Sequence, residues 1–248
     1  MHPQFLIIGA QKSGTSSLFY YLLQHPELAL PEKKEIHFFD VTYQNGIAWY
    51  ENHFPHKVKA DKLTGEATPY YLFHPLVPQR IAIHYPQIKL IVLLRNPIDR
   101  AYSHFWMIKN RNQENLSTFE EATEAEARHL EQETAKIMSQ PDYRCKVHQH
   151  NSYLSKGKYD EQFLNWFQYF PISSFLFIKS ERFFANLQSE LKRVYSFPGI
   201  SHQMPNDYEV QQKSNYPPMQ IETRKRLERY FHNHNQKLKS NIGDEFTW

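Results

Sequence analysis

The chain has a single cysteine, Cys145, in 248 residues. That excludes an intramolecular disulfide and any cysteine-based metal cluster, and no metal is expected. Glycine is scarce, at seven residues, while 40% of the chain is hydrophobic and 15% aromatic, which excludes general disorder. No apolar run approaches the roughly 20 residues of a membrane-spanning helix. An excess of one charge is also lacking, since 29 basic against 26 acidic residues leave +3. Bulk charge therefore gives no argument for a nucleic-acid partner, and any anion site must be local. The N-terminus enters an apolar run almost at once, so no signal peptide is visible, and a soluble cytoplasmic protein is expected. The length suits one α/β domain over residues 1–248 with a substantial core.

What is present begins at residue 5. Phe5-Leu-Ile-Ile8 reads as a buried strand that stops at Gly9. A short loop follows, with Lys12, Ser13, Gly14 and the hydroxyl residues Thr15, Ser16 and Ser17, and a helical pattern begins at Leu18. Strand, glycine loop and helix N-terminus together make a phosphate cradle, in which backbone amides and the helix dipole favour an anion and a lysine adds a full charge. The pattern is not a Walker A loop. Gly9 and Gly14 have the right spacing, but Thr15 stands where that motif has lysine.

A second apolar run, Leu90-Ile-Val-Leu-Leu94, ends at Arg95-Asn-Pro97. Pro97 suits a first helical position with Asn96 as N-cap, and the helix continues through Ala101, Phe105 and Ile108. A third run, Phe175 to Ile178, leads into a helix at Ser180. Helical patterns cover 75–85, 118–138, 158–170 and 220–238. Short apolar strands alternating with helices predict a three-layer α/β fold, a parallel sheet with helices on both faces. Ligands on such sheets bind at the carboxyl ends of the strands, where Lys12 and Arg95 both fall.

These residues resemble the sulfotransferases that use 3′-phosphoadenosine 5′-phosphosulfate (PAPS). Gln11-Lys-Ser-Gly-Thr-Ser-Ser-Leu18 is similar to their 5′-phosphosulfate loop, and Leu94-Arg-Asn-Pro-Ile-Asp-Arg-Ala-Tyr-Ser103 to their 3′-phosphate segment. Lys33-Lys-Glu-Ile-His-Phe-Phe-Asp40, Gly65-Glu-Ala-Thr-Pro-Tyr70 and the ending Phe246-Thr-Trp248 resemble the heparan sulfate branch. The resemblance implies a P-loop-NTPase-like fold and PAPS as sulfuryl donor. It implies that Lys12 to Ser17 hold the 5′-phosphosulfate and that Arg95 and Ser103 hold the 3′-phosphate. It also implies Glu35 as the base, with His37 orienting the acceptor or serving as a core histidine. Glu66 is a rival base. Simple alternation along an extended segment would put Glu35, His37 and Phe39 on one side.

Two departures stand out. Ala67 occupies a position where the resembling O-sulfotransferases carry lysine, so this chain lacks one cation that a polyanionic glycan would meet. The segment Lys213, Ser214, Asn215 stands where the family has roughly Lys-Gly-Arg, in a loop expected to act as a mobile lid that no disulfide can brace. The acceptor stays open among sugar, lipid and secondary-metabolite hydroxyls or an amine. Tyr43, Trp49, Tyr50, Tyr70, Tyr71 and Trp106 are candidates for its cleft or for the core. A P-loop-like nucleotide kinase is the alternative, disfavoured by the missing Gly-Lys-Thr order.

Overall fold

Four parallel strands carry the molecule, in the order β2-β1-β3-β4. The computed structural model describes residues 2–55, 62–210 and 215–248. In chain order, β1 (Phe5–Gly9) leads into α1 (Thr15–Leu23) and the short α2 (Ile47–Glu51). Next come β2 (Gly65–Ala67), α3 (Val77–His84), β3 (Lys89–Leu94) and α4 (Pro97–Asn110). The long α5 (Phe119–Ser139) is followed by α6 (Lys146–His150) and α7 (Tyr159–Trp166). Finally β4 (Phe175–Lys179) runs into α8 (Ser180–Ala185), α9 (Leu187–Ser196) and α10 (Ile221–Ile242).

The central strands read as unbroken apolar runs because both sheet faces are covered. Successive side chains point to opposite faces. Leu6, Ile8, Leu90, Val92 and Leu94 meet α3 and α7 through Val77, Ile81, Phe163 and Trp166. Phe5, Ile7, Ile91 and Leu93 meet α1 and α9 through Leu18, Leu22, Leu191 and Val194. Each such side chain, fully buried, contributes about 1.5–3 kcal/mol. A third cluster joins α4, α5 and α10 through Phe105, Phe119 and Phe231. The C-terminal segment closes the structure: Phe246 is buried in the core, and Lys179 Nζ donates to the carbonyls of Glu245 and Thr247 at 2.9 and 3.0 Å.

Of the six aromatics left open between cleft and core, Tyr50, Tyr70 and Tyr71 are buried. Tyr43 and Trp49 pack against the first cluster and Trp106 against the third. None of the six lines the cleft described below.

Candidate active site

Asn96 caps α4 as the sequence predicts. Its Oδ1 accepts from the Ile98 and Asp99 amides at 2.9 and 3.4 Å, and Pro97 takes the first helical position. A cap of this kind is worth about 1 kcal/mol. It also fixes where α4 starts, and so where Arg95 and Ser103 stand. The Asn96 amide donates to Glu181 Oε1 at 2.8 Å, tying this corner to α8.

Helix α1 starts at Thr15, three residues before the apolar pattern shows it. Its N-cap, Gly14, has φ 99°, a conformation that a side chain resists. A Cβ there would also lie 2.9 Å from Phe184 Cζ, the tip of an exposed ring that would have to move aside. No side chain caps this end. The first amides of a helix have no carbonyl one turn back, and those of Thr15 and Ser16 belong to residues that line a cleft. That is the geometry of an anion site.

The cleft has a volume of about 400 Å³. Lys12, Gly14, Thr15 and Ser16 line it, together with Arg95, Ser103 and Glu35, so residues from three separate stretches meet in one place. Arg95 Nη1 donates to the Lys12 carbonyl at 3.2 Å and joins the loops after β1 and β3. Lys12 itself has φ 70°. Burial, with Arg95 and Arg111 nearby, lowers its ammonium to about 8. Ser13 and Ser17 turn inward and are buried, and the Ser13 amide is taken by the Ala10 carbonyl at 3.2 Å. Lys213 and Ser214 of the expected lid lie outside the described residues; Asn215 is exposed, and its neighbour Tyr216 lines the cleft.

Segment 35–40 is not the extended stretch that alternation predicts. Glu35 and His37 adopt φ 65° and 57°, and Ile36, Phe38 and Phe39 are all buried in one cluster. The chain turns because its amides are held from afar: Glu35 N–H donates to the Ala67 carbonyl at 3.0 Å. Glu35 and His37 still meet, with His37 Nε2 lying 3.6 Å from Glu35 Oε2. On the other side, His37 Nδ1 donates to Asp40 Oδ2 at 2.7 Å. Burial alone would lower the imidazole, but the hydrogen bonds and charges of Asp40 and Glu35 outweigh it and raise it to about 10. His37 is thus an imidazolium clamped between two carboxylates. Burial alone would raise Glu35; its contacts with His37, and with Lys34 Nζ at 2.5 Å, hold it instead at about 2.

Glu66, the rival base, does not reach the cleft. It is 0% exposed on β2, and takes hydroxyl donors from Tyr50 at 3.1 Å, Tyr71 at 2.8 Å and Thr68 at 2.7 Å. Burial raises its carboxyl, against those three donors.

The structure adds residues that sequence reasoning missed. Gln11, Lys34, Arg111, Glu181 and Phe184 line the cleft. Counting Lys12 and Arg95 with these, four basic side chains face two carboxylates there. Lys156 lies behind, 4% exposed, with Nζ 3.0 Å from Gln11 Oε1 and 2.6 Å from the Gln149 carbonyl. Burial pushes its ammonium well below the usual lysine range. Asp40 had a signal, three residues after His37 in a charged and aromatic segment. Lys156 had none, being 145 residues from Gln11.

The sulfotransferase domain family matches residues 2–244. The chain belongs to that family. A membrane-associated sulfotransferase, kil1, of Dictyostelium discoideum is 28% identical over 99% of this chain and 66% of its own length. Heparan sulfate glucosamine 3-O-sulfotransferase 6 of mouse is 32% identical over 80% of this chain and 52% of its own. The chain therefore spans between half and two thirds of these relatives. Among solved structures, a sulfotransferase from Alicyclobacillus acidocaldarius superposes with a TM-score of 0.81 at 28% identity, over 98% of this chain and 96% of that one. The α/β fold with its parallel sheet is the one those structures share. Among the described residues no helix is long and apolar enough to cross a membrane.

Proposed function

We propose that the protein transfers a sulfuryl group from PAPS to a hydroxyl or amine of a small-molecule or glycan acceptor. The observation that carries this is the meeting of Lys12, the α1 N-terminus, Arg95 and Ser103 in one cleft, with the Glu35 carboxylate among the lining groups. A 3′,5′-bisphosphorylated nucleotide needs two anion sites, and the cleft offers two. Arg95 and Ser103 suit the 3′-phosphate, where a planar guanidinium gives a bidentate contact. Lys12 and the amides of Thr15 and Ser16 suit the 5′-phosphosulfate.

In the reaction, the acceptor oxygen or nitrogen forms a bond to sulfur as the bond from sulfur to the bridging oxygen breaks. That oxygen leaves with the electron pair, on what becomes the 5′-phosphate, and Lys12 neutralises the charge growing there. Glu35 takes the acceptor proton. At rest its contacts with Lys34 and His37 hold it ionised. An acceptor hydroxyl that takes the place of Lys34 against the carboxylate removes one of those contacts and strengthens the base. His37, anchored by Asp40, keeps Glu35 in position.

A thermal-shift comparison tests the reading. Adenosine 3′,5′-bisphosphate at about 100 times its dissociation constant stabilises the folded state by roughly 2.7 kcal/mol. ATP, with no 3′-phosphate, stabilises it much less. Equal or greater protection by ATP contradicts the proposal and favours a nucleotide kinase.

A further inference from the structure

The backbone at Glu35 and His37 is of a kind that residues bearing a Cβ resist, with φ 65° and 57°. Such conformations persist only where the surroundings over-determine them. The surroundings here can be traced atom by atom. The amides of Phe38 and Phe39 both donate to the Tyr71 hydroxyl, at 3.1 and 3.4 Å. The Phe39 carbonyl accepts from Arg80 Nη1 at 2.7 Å. The hinge of the arrangement is the Tyr71 oxygen, which is fully buried. A phenol has one proton and two lone pairs. Tyr71 gives its proton to Glu66 Oε1 at 2.8 Å, which turns the lone pairs toward the two amides. Glu66 is in turn fixed by Tyr50 and Thr68, at 3.1 and 2.7 Å.

We propose that Glu66 and Tyr71 are positioning residues: the buried carboxylate orients the Tyr71 hydroxyl, which holds the Phe38 and Phe39 amides and, through them, the Glu35–His37 pair at the cleft. This gives Glu66 a task in the reaction that needs no contact with the acceptor. It rests on the functional reading only in treating Glu35 as the reacting base.

The test reads the pair directly. Tyr71→Phe deletes the phenolic oxygen and keeps the ring in the core. The imidazole of His37 is followed by NMR titration and identified by its absence in His37→Gln. With both carboxylates in place its midpoint should lie at about 10. In Tyr71→Phe the midpoint falls below about 8, toward the ordinary imidazole range. The dissociation constant for adenosine 3′,5′-bisphosphate then changes by less than about twofold, because the phosphate loops are untouched. Glu66→Gln keeps a carbonyl that accepts the Tyr71 proton and stays near the wild-type midpoint, whereas Glu66→Leu behaves like Tyr71→Phe. A wild-type midpoint in folded Tyr71→Phe overturns the proposal, and so does nucleotide affinity lost in step with the titration change. Hydrogen exchange on the unmodified protein gives an answer that no folding defect can block. The Phe38 and Phe39 amides should exchange only with global unfolding, and exchange at exposed-loop rates overturns the proposal. Absence of bisphosphate binding in the wild type would contradict the sulfotransferase reading alone, leaving the titration result to judge this one.

Discussion

The two walls of the cleft are built by opposite means. On the wall proposed for the donor, Thr15 and Ser16 open α1 and Arg95 follows the end of β3, while Lys12, at φ 70°, sits in the glycine loop between β1 and α1. On the wall proposed for the acceptor, Glu35 and His37 sit at positive φ in a segment without regular structure, whose Glu35, Phe38 and Phe39 amides donate to the Ala67 carbonyl and the Tyr71 hydroxyl and whose Phe39 carbonyl accepts from Arg80. The donor wall is a product of local sequence; the acceptor wall is a product of distant contacts. A change on the first should alter nucleotide binding and little else. A change on the second should alter turnover and leave the nucleotide in place.

The largest expected effect is on the acceptor wall. Glu35→Gln keeps the size of the side chain but cannot take a proton, and loss of a general base costs about 10²–10⁴-fold in rate. Calorimetry should show bisphosphate binding unchanged. Turnover close to wild type in single-turnover measurements would remove Glu35 from the base role, and a loss confined to nucleotide affinity would erase the distinction between the walls.

On the wall proposed for the donor, Arg95→Ala removes the side chain proposed as a charge-assisted, bidentate partner of the 3′-phosphate. Such contacts are worth about 1.5–3 kcal/mol, so the dissociation constant for adenosine 3′,5′-bisphosphate should rise about 10- to 100-fold. Titration calorimetry measures this directly, and unchanged affinity would move the 3′-phosphate elsewhere.

A smaller effect comes from pH. Burial and the neighbouring Arg95 and Arg111 set Lys12 at about 8 in the free protein. A bound anion favours the protonated lysine and raises that value in the complex. Affinity is therefore insensitive to Lys12 below about pH 8 and falls as pH rises above it, by up to about tenfold at pH 9. The nucleotide phosphates are already fully charged in this range. In Lys12→Arg, which stays charged throughout, the slope should disappear. An equal slope in that variant would assign the titration to another group.

The same contrast governs what the sequence disclosed. The β1, β3 and β4 runs, the Asn96–Pro97 helix start and the glycine loop are short-range patterns, and the structure realises each within a few residues. Strand β2 has three residues and carries Glu66, so no apolar run announces it. Alternation failed for 35–40 because it assumes an extended chain, and nothing in the segment, which has no glycine, signals a positive φ. The cause lies in a tyrosine 33 residues away from Phe38. Glu66 reads from sequence as a possible base and proves to be sealed in the core. Lys156 could not be found at all, since only the fold brings it to Gln11.

On the proposed reading, this cleft holds both phosphates of a 3′,5′-bisphosphorylated adenosine. Calorimetry comparing adenosine 3′,5′-bisphosphate with adenosine 5′-monophosphate, on the wild-type protein and in one buffer, isolates the 3′-phosphate. The bisphosphate should bind about 10- to 100-fold more tightly, and that preference should vanish in Arg95→Ala. Equal affinity of the two nucleotides for the wild type would contradict the account.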